Sequence, residues 1–402
     1  MKYVIIQGDG MGDEPIPSLG NRTPLEAAHT PNLDRIAGCG RFGLLHTIPQ
    51  GFPPGSDVGN LSLFGYDPAR YYTGRSPLEA AAMGIQLREE DVAFRLNLVT
   101  TSGQGDHIRM EDYSAGHIES AEAAQLVKAL ALQLGSDTLF FYPGVSYRHL
   151  LVWRGGPLDM TTIPPHDITG KPAQPHLPVG PGADTLRDIM ARSREILADH
   201  PVNRKRAAQG KGVATQAWLW GQGKAPSMPT FQQLFNLKGA AISAVDLVRG
   251  VAVYAGFDIL PVPGITGYLD TDYRAKGEYA LAALKTHDLV FIHIEAPDEA
   301  GHMGNAAEKV KAIESIDQLI AGPLLENLPS LGPFNILVTS DHATPVHLRT
   351  HTPAPVPFAM ASHTQLAAKS QPVKYGETEA AHTGVEIPQG YTIIEQLIHH
   401  PQ

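Results

Sequence analysis

Short apolar runs that stop at acidic or histidine residues are the dominant pattern along this chain. Tyr3 to Ile6 is one such run, and it ends at Gly8-Asp9-Gly10. Leu289 to Ile294 (LVFIHI) is a second, and Asn335 to Ser340 (NILVTS) is a third that runs straight into Asp341-His342. Unalternating runs of this length predict strands buried on both faces, as in parallel sheets. Ala241 to Val245 and Ile259 to Val262 predict further short strands. Between the strands, Thr23-Pro24-Leu25-Glu26-Ala27-Ala28 predicts a helix, and Thr30-Pro31-Asn32-Leu33-Asp34 opens another. Val310, Ile313, Ile316 and Ile320 recur at helical spacing. Strands alternating with helices predict an α/β fold whose largely parallel sheet is flanked by helices. Sites in such sheets form beyond the carboxyl ends of strands. Asp9, Asp341 and His342 stand at such ends.

The middle of the chain has another texture. From about Gly105 to Gly223 it is rich in Pro, Gly and His. Leu139 to Tyr142 and His149 to Trp153 read as strands there, and Ser120 to Gly135 as an amphipathic helix. This predicts a smaller inserted α+β domain over 111–223, with the core formed by 1–110 and 224–402. At 402 residues the chain has room for both. A net charge of −10 argues against a nucleic-acid or membrane-surface partner. The single Cys39 cannot form an intrachain disulfide, and the opening MKYVIIQGDG reads as neither signal peptide nor membrane span, so a cytoplasmic location is expected. Gly8-Asp9-Gly10-Met11-Gly12 lacks the GxGxxG spacing, and an acid sits where a pyrophosphate would approach, which argues against a dinucleotide site.

Ser56, within Pro54-Gly55-Ser56-Asp57-Val58-Gly59-Asn60, reads as a nucleophile on a turn. No Gly-x-Ser-x-Gly elbow surrounds it, and no histidine base is evident. Instead the chain offers scattered Asp and His residues. Asp298 and His302 are four apart, so one helical turn places both on one side. Alone, each has an ordinary reading: a helix-capping acid, a surface histidine, a turn residue. As a set, Asp9, Asp298, His302, Asp341, His342 and His351 supply oxygen and imidazole donors without thiolate, which suits Mn²⁺, Mg²⁺ or Zn²⁺. Six ligands and a serine suit two ions, whose role in such sites is to clamp the oxygens of an in-line displacement. A serine hydroxyl on a metal loses its proton far more readily than a free alcohol.

In order and spacing, GDGMGDEPI, RTPLEAAHTPNLDRIA, GSDVGNLSLFGYDP, YYTGRSPLEAAAMGI, DYSAGHI, WLWGQGKAP, ISAVDLVRG, GYLDTDY, EAPDEAGH and SDHATP cover nearly the whole chain. With them the chain resembles the archaeal-type 2,3-bisphosphoglycerate-independent phosphoglycerate mutases of the alkaline phosphatase superfamily. The resemblance implies an alkaline-phosphatase-like core and a cap domain that closes over it. It implies that Ser56 is the phosphorylated nucleophile, that Asp9, Asp341, His342 and Ser56 hold one metal, and that Asp298, His302 and His351 hold the other. Mn²⁺ is the expected ion, with Mg²⁺, Co²⁺ and Zn²⁺ as alternatives, and 2,3-bisphosphoglycerate is not needed. The implied reaction interconverts 3-phosphoglycerate and 2-phosphoglycerate. Its anionic substrate needs basic contacts. The candidates are Arg148, His149, His166, Asp167, Lys171 and Arg206 in the inserted domain and Lys276 in the core. His149 and Asp167 both stand as general acid/base candidates. Two departures from the common pattern, SDVGN for SDTAN and DHATP for DHSTP, remove no ligand. A homoserine-kinase-like phosphotransferase, a phosphomonoesterase and a non-catalytic binding protein are the alternatives on the same fold.

Overall fold

The computed structural model describes residues 1–399. The chain forms two compact units, Met1–Tyr72 with Ser227–Gln402, and Thr73–Pro226. The first unit is built on an eight-stranded sheet. At its centre lies Lys2–Gly8, flanked by Leu289–Ile294 on one side and Phe334–Thr339 on the other, all parallel. Gly239–Ile242 and Asp258–Ile259 extend it beyond Leu289–Ile294. On the other side Val356–Ser362 runs antiparallel to both its neighbours, Phe334–Thr339 and Arg41–Leu45, and Glu386–Ile387 closes the edge. Every residue of Leu289–Ile294 and Phe334–Thr339 is buried, which is why those runs are continuously apolar rather than alternating. Because the three central strands are parallel and in register, with Gly8 beside Ile294 and Gln7 beside Thr339, the residues that follow them emerge along one edge. Asp9, Asp298, Asp341 and His342 come from those three exits.

Two glycines permit the close approach at that edge. Gly10 has φ +58°, and a Cβ there would lie 2.5 Å from the Asp298 carboxylate. Gly59 lies in the helix Ser56–Leu63, whose residues are all buried. A Cβ on it would lie 2.5 Å from the Asp341 carbonyl oxygen. The SDVGN variant thus seats the Ser56 helix directly against the Asp341 segment.

The apolar stripe at Val310, Ile313 and Ile316 belongs to the helix Ala306–Ile316, but Ile320 falls in a π-helical turn, Asp317–Ala321. The widened turn places the Asp317 carboxylate on the backbone N–H groups of Asn32 and Leu33, at 2.9 and 2.8 Å, so it caps the start of the helix Pro31–Cys39. Two predicted strands are shorter than expected. The first ends at Ile242, because Ser243 turns out to bond its own neighbour Val245. The second ends at Ile259, before Pro261 and Pro263, which cannot donate to a ladder.

The second unit has a five-stranded antiparallel sheet organised around the long strand Asp91–Ser102. That strand pairs with Arg148–Arg154, Gln216–Gly223 and Arg109–Asp112. The helix Ser120–Leu134 buries Ala123, Leu126, Val127 and Leu130 in its core, where Phe94, Leu96 and Leu98 also lie. The boundary at 110 is therefore corrected to 72. Residues 91–102 take their ladder partners from the inserted segment, and Glu79 of the helix Arg75–Ala82 pairs with Arg95. The return junction falls at 226 rather than 223. Among the described residues no helix is long and apolar enough to cross a membrane.

Candidate functional site

Six residues predicted as metal ligands meet within the first unit. Asp9 follows the central strand directly, Asp298 and His302 lie on the helix Ala296–His302, Asp341 and His342 follow Phe334–Thr339, and His351 lies in the loop before Val356–Ser362. Donor atoms of Asp9, Asp341 and His342 lie within 4.8 Å of one another, as do those of Asp298, His342 and His351. His342 Nε2 is 3.1 Å from Ser56 Oγ, 3.5 Å from Asp9 and 3.4 Å from Asp341. His302 Nε2 is 3.1 Å from Asp298 and 3.0 Å from His351 Nε2.

The imidazole protons follow from the partners. His302 Nδ1 faces the Arg349 carbonyl at 3.0 Å, which can only accept. Nδ1 therefore carries a proton, and the hydrogen bond that Nε2 donates to Asp298 raises the ring's pKa to about 9, so a metal ion would bind Nε2 by displacing its proton. Thr344 Oγ1 donates to the Asp298 carboxylate, so it accepts from His342 Nδ1 at 3.2 Å. His342 Nε2 is then the lone pair that faces Ser56, Asp9 and Asp341. Ser56 itself is the first residue of its helix and is 7% exposed. The first backbone N–H groups of a helix have no intrahelical acceptor and favour negative charge.

The electrostatics of the cluster suit cations. Burial, and then the charges of Asp341, Glu295 and Asp298, push the Asp9 carboxyl well above the usual carboxylate range. Burial also pushes Asp298 up, but hydrogen bonds from His302 and His351 outweigh it and hold that carboxyl well below the usual range. Asp9 Oδ1 and Glu295 Oε2 are buried without a hydrogen-bond partner. Such a set of carboxylates, orphaned oxygens and imidazole nitrogens fits divalent ions.

Several supporting residues escaped the reading of the sequence. His293 donates from Nε2 to Asp9 at 2.8 Å and accepts from Ser243 Oγ at Nδ1, at 3.0 Å. Asn60 donates to Asp341 at 3.0 Å. The signal for His293 was present: a histidine inside the otherwise apolar LVFIHI strand needs a buried partner.

The predicted substrate residues separate. Arg148 and His149 are adjacent in one strand and face opposite sides of the second sheet, since Arg148 pairs with Asn97 and His149 with the core residue Leu96. His149 is 1% exposed, its Nδ1 accepts from the Gly144 N–H at 2.9 Å, and burial lowers its pKa to about 3. It stays neutral and is corrected from an acid/base candidate to a buried structural group. Arg206 is corrected likewise. Its guanidinium is spent on the Gly212 and Ala115 carbonyls and on Glu122 at 2.6 Å. Lys276 is fully buried, donates to the His293 carbonyl at 2.6 Å and has its pKa lowered to about 8 by burial. It supports the strand that carries His293 rather than offering a free cation. Lys171 is exposed and donates to the Asp167 carbonyl at 2.8 Å.

Arg148 and His166 remain, and two arginines that were not anticipated join them. Arg95 stacks over Trp220 at 4.4 Å and pairs with Glu79 at 3.1 Å. Burial lowers its pKa to about 10, and Arg75 and Arg148 add to that while Glu79 opposes it. His166 packs edge-on against Trp220 at 5.4 Å, with its pKa lowered by burial and by Arg95 and Arg75, against Asp167. Crowded cations around one glutamate give this part of the second unit a local excess of positive charge.

The state of His149 sets a stability test. Its folded pKa of about 3 lies below the unfolded 6.5, so its contribution is complete above pH 6.5 and is lost as pH falls toward 3. At pH 5 this removes about 2 kcal/mol relative to neutral pH. His149→Asn keeps an acceptor for Gly144 and cannot titrate. Urea unfolding of the variant at pH 7 and pH 5 is expected to show a difference smaller by about that amount.

The family model described as 2,3-bisphosphoglycerate-independent phosphoglycerate mutase matches residues 37–203. A probable enzyme of that name from Geobacter sulfurreducens is 50% identical, over 99% of this chain and 100% of its own length. One from Methanosarcina mazei is 52% identical over 90% of each chain. A solved structure from Pyrococcus horikoshii superposes with a TM-score of 0.80 at 31% identity, covering 100% of this chain and 98% of its own. The cofactor-independent phosphoglycerate mutase of Thermoplasma acidophilum does so with a TM-score of 0.67 at 29% identity, covering both chains fully. The chain belongs to the family of 2,3-bisphosphoglycerate-independent phosphoglycerate mutases.

Proposed function

We propose that this chain interconverts 3-phosphoglycerate and 2-phosphoglycerate by passing the phosphoryl group through Ser56, without 2,3-bisphosphoglycerate. The observation that carries this reading is the placement of Ser56 Oγ, 3.1 Å from an Nε2 lone pair of His342 that also faces Asp9 and Asp341. Two divalent ions, Mn²⁺ foremost, held by Asp9, Asp341, His342 and Ser56 and by Asp298, His302 and His351, would acidify the serine hydroxyl and offset phosphoryl charge. Ser56 Oγ forms a bond to phosphorus as the bond from phosphorus to the glycerate oxygen breaks, and that oxygen takes a proton. The other glycerate hydroxyl then gives up its proton, attacks phosphorus and releases Ser56. A phosphoryl group on Ser56 would sit at the start of its helix, where unsatisfied N–H groups favour anions. Within the second unit, Arg75, Arg95, Arg148 and His166 are the candidate contacts for an anionic group of the substrate. Asp167, exposed and 3.7 Å from His166 Nε2, remains the acid/base candidate for the glycerate hydroxyls.

The test is direct. Metal-loaded protein given 3-phosphoglycerate, with no bisphosphoglycerate, is expected to form 2-phosphoglycerate. Release of inorganic phosphate alone would replace this reading with a phosphomonoesterase. Turnover only with homoserine and a nucleotide would replace it with a kinase-like phosphotransferase.

A further inference from the structure

The second unit contains a cavity of about 670 Å³, within the size range of small-molecule sites. One wall is a face of the helix Ala183–Ala198 that carries Arg187, Met190, Ala191, Arg194 and Ala198, spaced as a helix spaces one side. Ile108, Leu177, Met190 and Trp218 give it an apolar interior. Two lining groups are incompletely satisfied. Gln216 is 3% exposed and donates its amide nitrogen to the Met190 carbonyl at 3.1 Å, which fixes the amide orientation. Its Oε1 is buried without a partner. Arg194 donates Nη2 to the Gly103 carbonyl at 2.7 Å, and its Nη1 is also buried without a partner. Buried polar atoms of native proteins are nearly always hydrogen-bonded, so an orphaned acceptor and an orphaned cationic donor lining one cavity point to a ligand carrying the complementary pair.

The charges narrow its class. Arg187 is engaged by Asp184 and by the Pro178 carbonyl. Asp106 and Glu195 balance the two arginines of the lining. A polyanion gains little in such a neutral lining, which disfavours phosphoglycerates and nucleotides. A zwitterion with an apolar body matches it. We propose that the cavity binds an α-amino acid with an apolar side chain. Its carboxylate meets Arg194 Nη1, its ammonium meets Gln216 Oε1 with the rim acids, and its side chain lies against Met190 and Trp218.

The test uses the metal-loaded chain titrated with L-phenylalanine, L-leucine and L-methionine, read by calorimetry and by tryptophan fluorescence through Trp218. At least one is expected to bind saturably, with Kd between roughly 10 μM and 1 mM. The corresponding amino-acid amide should bind at least ~10-fold more weakly, and 3-phosphoglycerate should not compete. Ala191→Trp fills the cavity from an exposed helix position. It should abolish binding while leaving mutase turnover intact. Arg194→Met should weaken binding by ~10-fold. Absence of saturable binding by all three amino acids, equal binding by the amides, or undiminished binding by Ala191→Trp would each overturn the proposal. Ser56→Ala should bind the amino acid like the wild type, so the cavity and the phosphoryl-transfer reading fail independently.

Discussion

Ser56→Ala is expected to lower kcat by ~10⁴-fold or more, because the proposed route passes through a covalent bond to Ser56 that no other residue replaces. The supporting groups stay in place. Asp9, Asp341 and His342 keep their mutual contacts, and His342 Nδ1 is still held by Thr344. Metal content should therefore be unchanged. Stability should move by about 1 kcal/mol at most, since one neutral hydrogen bond to His342 is lost. Gly55 precedes Ser56 and the helix continues through Leu63 with Gly59 pressed against Asp341, so alanine causes no clash and leaves the helix seated. Labelled 3-phosphoglycerate, quenched in acid during turnover, should leave label on the wild-type chain and none on the variant. Turnover by the variant above ~1% of wild type would remove the covalent route.

Much of this cluster could be read from the chain because Asp9, Asp341 and His342 lie at the ends of strands with an unambiguous apolar signature. LVFIHI and NILVTS admit few readings other than buried parallel strands, and the acids and histidines after them must then share one edge. The cluster of Arg75, Arg95, Arg148 and His166 was less legible. Arg95 sits in the alternating segment Val92-Ala93-Phe94-Arg95-Leu96-Asn97-Leu98, where a buried arginine looks like an ordinary outward residue until its neighbours Trp220 and Arg148 are known. Those contacts join residues more than fifty positions apart, which no local pattern encodes. The same cause misplaced the first domain boundary. Composition changes near Gly105, but the strand Asp91–Ser102 is fixed to the second unit by ladders to Arg148–Arg154 and Gln216–Gly223. Arg206 and Lys276 misled in the opposite direction. Each is a long cation among glycines and small residues, and each is spent on backbone carbonyls in the interior.

Chelation of divalent ions is expected to reduce turnover by ~10³-fold or more, with Mn²⁺ restoring it. The argument rests on charge. Asp9 lies among Asp341, Glu295 and Asp298 and is fully buried; of the imidazoles beside it, His293 donates one N–H to it and His342 turns an Nε2 lone pair inward. Without cations these carboxylates repel one another in a medium that screens poorly. Ions that bind only the folded chain stabilise it by about 2.7 kcal/mol at a free concentration one hundred times Kd, for each site. The stripped protein should therefore melt at a lower temperature, and the loss should be reversed by the same ion that restores turnover. Asp298→Asn separates the two sites. Asp298 holds His302 and His351, whereas Asp9 and Asp341 group with His342. The variant should retain one ion instead of two by metal analysis and should lose turnover, while a Ser56→Ala chain keeps both ions. Full activity after verified stripping would exclude the two-ion reading, and unchanged stoichiometry in Asp298→Asn would remove Asp298 from the ligand set.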